Sequence, residues 1–141
     1  MKDSAEFVAF QFVWAINRRD VEGMVGWMTP EHRFVDSMGV EVEGRDEMRE
    51  GWTEYFRMVP DYSIAVDESF TNGSVVVMLG MAQGTYAPDD LLRPENRWET
   101  QAAFRALIED GKVAEWRVYA DNEPMRQLMR QGSLMQHACI K

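Results

Sequence analysis

The chain has 141 residues, 45% of them hydrophobic and 28% charged, with 24 acidic against 15 basic side chains and a formal net charge of −9. That length fits one domain able to bury roughly two-thirds of its unfolded surface without disulfide or metal staples, and the acidic balance speaks against nucleic acid or an anionic membrane surface as partner. The one cysteine, Cys139, excludes an internal disulfide, a Cys-ligated zinc or an iron–sulfur cluster; no apolar run approaches ~18–20 residues and the acidic N-terminus lacks a signal-peptide layout, so a cytoplasmic protein is expected.

From Ser4 to Asn17 the apolar residues are too dense for a surface helix, and the segment reads as a helix capped by Ser4 and buried on most sides. Asp20 caps a second, short helix over Val21–Trp27, which ends before Pro30. Arg33–Met38 reads as a strand closed by Gly39, and Arg45–Met58 as a helix with Met48, Trp52, Tyr55 and Phe56 on one face.

Beyond Tyr62 the period changes to two. Tyr62–Phe70 and Ser74–Tyr86 are strands joined through Thr71-Asn72-Gly73, and Ala87–Asn96, with two prolines, is a loop. Trp98–Ile108 and Val113–Ala120 form a second hairpin around Asp110-Gly111. Pro124 opens a last helix that runs to Arg130 and is ended by Gly132. A single domain over residues 1–131 with a tail at 132–141 follows. Helices first and a strand meander afterwards make the fold class α+β, with helices against one face of a curved sheet that can enclose a cone-shaped cavity.

Asp36 stands two residues after Phe34, so in a strand the two share a face, and an inward carboxylate desolvated there could act as a base near neutral pH. The same residue could equally end the strand and accept hydrogen bonds from the Ser37–Gly39 turn. Trp52, Tyr55 and Phe56 could roof the cavity or simply be core. His32, between Pro30 and the strand, is expected to be solvated. With His137 it has no metal-ligand spacing, and there is no Gly-rich phosphate loop, so neither metal nor cofactor is expected. Eleven methionines suit an adaptable cavity or a loosely specified core.

The order of elements, together with Ala15-Ile16-Asn17…Asp20, Phe34-Val35-Asp36, Glu43-Gly44-Arg45, Gly84-Thr85-Tyr86 and Asp110-Gly111-Lys112-Val113-Ala114-Glu115-Trp116, resembles the SnoaL-like branch of the NTF2-like superfamily. The resemblance spans about residue 5 to about residue 125. It implies an NTF2-like (cystatin-like) cone, an apolar pocket and a homodimer through the open sheet face. The superfamily holds isomerases, cyclases, dehydratases, epoxide hydrolases and non-catalytic modules, so fold does not settle function.

By resemblance to ketosteroid isomerases, Asp36 occupies the position of the proton-shuttling aspartate, but the tyrosine position holds Phe12 and the protonated-acid position Ala103, neither of which donates a hydrogen bond. The His-Trp-Asp run of polyketide cyclases is replaced by Trp116, Arg117 and Val118. Parity taken from the same resemblance turns Trp116, Val118, Gln101, Ala103 and Arg105 to the cavity, and Trp98, Phe104, Arg117 and Tyr119 to a subunit contact. Arg105 would then pair with Asp36 or Glu99, or sit in a structural ion pair. Two functions are expected. One is a cofactor-independent isomerase, lyase or cyclase for an apolar carbonyl compound, with Asp36 as base, Arg105 or Tyr55 as polarising group, and Phe12, Phe34, Trp52, Phe56, Gln101, Ala103, Trp116 and Val118 around the substrate. The other is a non-catalytic module that binds a small apolar ligand or only dimerises.

Overall fold

Ser4 Oγ accepts the Phe7 N–H at 3.1 Å and starts the first helix, α1, Ala5–Asn17. In the computed structural model, which describes residues 4–140 and the side chains of residues 4–131, α1 is followed by α2 Val21–Gly26, β1 Met28–Val35, β2 Glu41–Glu43, α3 Arg45–Met58, β3 Ser63–Asn72, β4 Val75–Thr85, a 3-10 turn Pro94–Asn96, β5 Arg97–Glu109, β6 Lys112–Ala120 and α4 Glu123–Ile140. The six strands form one mixed sheet in the order β2-β1-β6-β5-β4-β3, in which only β1 and β6 run parallel. The α+β architecture with N-terminal helices against one sheet face is as expected.

Several boundaries differ from the sequence reading. Helix α1 buries one side only, since Phe7 and Trp14 are exposed. Strand β1 begins five residues earlier than expected, and Pro30 falls in the irregular stretch between the Met28 and Arg33 pairings, where no ladder bond needs its missing N–H. The strand ends at Val35, so Asp36 lies just beyond it. Helix α4 continues through Gly132 to Ile140; the side chains of His137 and Cys139 lie outside the described residues. No helix among the described residues is long and apolar enough to cross a membrane.

The hairpin turns follow their chemistry: Asp110 and Gly111 both adopt positive φ, as a two-residue primed turn requires. Within that hairpin Ile108 pairs with Val113, but Leu107 pairs with Glu115, leaving Ala114 as an extra residue. Beyond this bulge Ala106 faces Trp116, Phe104 faces Val118 and Ala102 faces Ala120. A second bulge at Asp67 offsets β3 against β4. Beside it Gly80 has no room for a side chain, because a Cβ there would lie 1.8 Å from the Ala65 carbonyl oxygen.

The core sits between α1 and the inner face of β5 and β6. Phe12 packs on Trp116 at 5.0 Å, and Trp116 stacks on Phe104 at 5.4 Å, all three fully buried. Asn17 docks the end of α1 on the sheet by pairing both ways with the Ile64 backbone, at 2.7 and 2.9 Å.

His32 is not solvated. It is fully buried, its ring lies 6.0 Å from Phe12, and its Nδ1 is 2.7 Å from the Val113 carbonyl, so Nδ1 carries the proton and donates. Burial is the main force lowering its pKa, partly offset by that hydrogen bond. The unfolded chain therefore takes up a proton near the ordinary value of 6.5 while the fold does not, and stability is lost as pH falls below it. Urea unfolding should give a midpoint that drops between about pH 6.5 and pH 5. His32→Asn, whose amide can keep the donor, should flatten that drop; an unchanged slope would locate the acid sensitivity elsewhere.

Candidate functional site

The concave face of the sheet, α3 and the segment entering α4 enclose a cavity of about 320 Å³. Its walls are aromatic: Phe34 from β1, Trp52 and Tyr55 from α3, Tyr62 from the start of β3, and Trp98 from β5. Val42, Met48, Ala82, Val118 and Ala120 supply the aliphatic side chains, and Asp36, Ser37 and Asn122 the polar edge. These rings brace one another at near-right angles, with Trp52 and Tyr55 at 87°, Tyr55 and Tyr62 at 86°, and Phe34 and Trp52 at 79°.

Of the two sequence readings of Asp36, the turn acceptor is what the structure shows. Its Oδ1 accepts the N–H groups of Met38 and Val40 at 2.9 and 3.0 Å, and its backbone N–H donates to the Val40 carbonyl, so it builds the β1–β2 turn. It also lines the cavity, and its second carboxylate oxygen has no hydrogen-bond partner among the described residues. Asn122 Nδ2 donates to Ser37 Oγ at 2.7 Å and ties the entry of α4 to that turn.

Tyr55 contacts only the Met125 sulfur at 3.8 Å through its hydroxyl. Burial raises its pKa far above the ordinary phenol value; for Tyr62 burial does the same, with Tyr55 adding to it. Both are therefore neutral hydroxyls throughout the physiological range, able to donate or accept. The indole N–H groups of Trp52 and Trp98 find no acceptor among the described residues and are sealed inside the wall.

The structure brings Asp36, Tyr55, Phe34, Trp52 and Val118 together around the cavity. Phe12 and Trp116 lie beneath it in the core, and Phe56 packs on Trp52 at 5.4 Å without lining it. Gln101, Ala103 and Arg105 are on the opposite face of the sheet. Parity counted through the hairpin without a bulge pairs Trp116 with Arg105; the extra residue Ala114 moves the partner to Ala106 and turns the whole of β5 over. For the same reason Trp98 and Phe104, expected at a subunit contact, face inward. The inward neighbours of Ala103, Ala102 and Phe104, carry no hydrogen-bond donor either.

Arg105 pairs with neither Asp36 nor Glu99. It meets Glu115 Oε1 at 3.1 Å while Arg33 meets Oε2 at 3.0 Å, a structural cluster that joins β1, β5 and β6 on the outer face. The sequence reading missed Tyr62, Trp98, Ser37 and Asn122. Tyr62 opens the expected strand Tyr62–Phe70, but alternation alone does not say which face is inward, and the bulge turns Trp98 inward. No group of three or more His, Cys, Asp or Glu side chains that could hold a metal occurs among the described residues.

The SnoaL-like domain model matches residues 9–116. The chain belongs to the SnoaL-like family. No curated protein matches the sequence. Solved structures share the fold: a candidate SnoaL-like polyketide cyclase from Shewanella denitrificans (13% identity, TM-score 0.75, 90% of this chain and 97% of that one) and IdmH, a candidate polyketide cyclase from Streptomyces antibioticus (17%, 0.74, 90% and 99%). AclR from Streptomyces galilaeus, described as a candidate hydroxylase, aligns at 19% identity with a TM-score of 0.71 over 91% of this chain and 84% of that one. At these identities the likeness concerns the NTF2-like fold of this SnoaL-like protein, not its chemistry.

Mutation tests the turn role of Asp36. Asp36→Ala removes both turn hydrogen bonds and should cost about 1–2 kcal/mol in urea unfolding. Asp36→Asn keeps an acceptor at Oδ1 and should stay within about 0.5 kcal/mol of wild type. Equal, negligible effects of both would mean the turn does not depend on this side chain.

Proposed function

We propose that this SnoaL-like protein binds a small, mainly apolar ligand in the cone. The observation carrying the reading is a cavity of about 320 Å³ lined mainly by aromatic and aliphatic side chains, at the lower end of the size range of small-molecule sites. The neutral, apolar-bodied ketone 6-propionyl-2-dimethylaminonaphthalene should bind with a blue-shifted emission. Ala120→Trp, which fills the cavity from β6, should abolish that shift while the protein still melts cooperatively. No shift with the wild-type protein, or an unchanged shift with the filled variant, would sink the reading.

A second reading, catalysis on an enolisable carbonyl compound, draws on Asp36: one oxygen is fixed by two backbone N–H groups and the other is free of described partners at the cavity edge. Tyr55 and Tyr62 would then supply the donors that Phe12 and Ala103 lack. The neighbours named as candidate polyketide cyclases favour this class of substrate.

The expected homodimer belongs to the same proposal, through the outer sheet face with Ala103, Arg117, Tyr119 and Leu79 in place of Trp98 and Phe104; Tyr119 is half exposed there. Sedimentation at micromolar concentration should give twice the 16.4 kDa chain mass, and Tyr119→Glu should shift it toward monomer; a wild-type monomer would overturn this part. A cytoplasmic location, suggested by acidic charge and a single cysteine, completes the proposal.

A further inference from the structure

The chemistry of the cavity narrows the ligand, on the reading that the cavity is a binding site. Among the described lining residues Asp36 carries the only formal charge, and no Lys, Arg or His accompanies it. Asn122 gives one amide N–H to Ser37 and keeps its second N–H and its carbonyl oxygen. The edge therefore carries one anionic acceptor, the second oxygen of Asp36, beside neutral Ser37 and Asn122 groups that can donate or accept.

Behind that edge stand Trp52, Tyr55, Tyr62 and Trp98, in contact with one another at 5.1–6.3 Å and with two of their pairs nearly perpendicular. All four rings line the cavity, and the face of an aromatic ring attracts an ammonium group without hydrogen bonds. The indole N–H donors, which would favour an anion, are sealed within the wall and have no surface toward the cavity. The charge of the whole chain, −9, adds long-range attraction for a cation.

We propose that the ligand is an organic ammonium ion with an apolar body, its cationic head held between the aromatic walls and the Asp36 carboxylate. Trp52 and Trp98 would recognise the head by cation–π attraction, and Asp36 would act as its counter-ion.

The test compares benzyltrimethylammonium with its neutral carbon isostere, neopentylbenzene, by isothermal titration against the full chain. The cation should bind about tenfold tighter. Asp36→Asn, which preserves the turn, should lower cation affinity at least fivefold and leave neopentylbenzene unchanged, and added salt should weaken only the cation. Equal or tighter binding of neopentylbenzene overturns the inference while leaving the cavity reading intact, as does silence of both probes when the naphthalene ketone still binds. A cation preference that survives Ala120→Trp places binding outside the cavity and also overturns it. If all three probes fail to bind, the cavity reading falls as well.

Discussion

One extra residue, Ala114, governs which side chains meet inside this protein. A strand presents alternate residues to opposite faces, so a one-residue offset between β5 and β6 exchanges the faces of everything beyond it. With the offset, Trp98, Ala102, Phe104 and Ala106 enter the concave side, and Gln101, Ala103 and Arg105 leave it. The Phe12–Trp116–Phe104 stack exists only in this register, and the Arg33–Glu115–Arg105 cluster sits immediately beside the bulge on the outer face. A buried apolar stack on one side and a shared carboxylate on the other hold the same offset from both directions.

The cavity inherits its character from that register. Trp98 becomes a wall and Arg105 does not, so among the described residues the lining is aromatic with a single carboxylate rather than apolar with a guanidinium. Mutual packing of Trp52, Tyr55 and Tyr62 limits their rotation, so a ligand would meet walls already in place and lose little freedom in ordering them. Asp36 is fixed in a comparable way, since the turn that it builds also orients its remaining oxygen.

His32 illustrates how local reading fails at a sheet junction. Beside Pro30 and between Glu31 and Arg33, it has the surroundings of a surface residue. The parallel pairing of β1 with β6 instead brings it beneath Phe12 and against the Val113 carbonyl, a contact between residues far apart in the chain. Asp36 shows the converse, because Ser37-Met38-Gly39 announces the turn it builds and its place two residues after Phe34 announces its position beside the cavity.

The sequence by itself determined what depends on near neighbours. The amphipathic spacing of α3, the Ser4 and Asp20 caps, the Asp110-Gly111 hairpin and the α+β order all arise from interactions within a few residues, and each stands where expected. Tertiary structure alone decided the facing of β5, the burial of His32, the partner of Arg105 and the entry of Tyr62 and Trp98 into the cavity. Periodicity within one strand fixes which residues share a face, but the bulge that assigns that face to core or solvent is a property of two strands together.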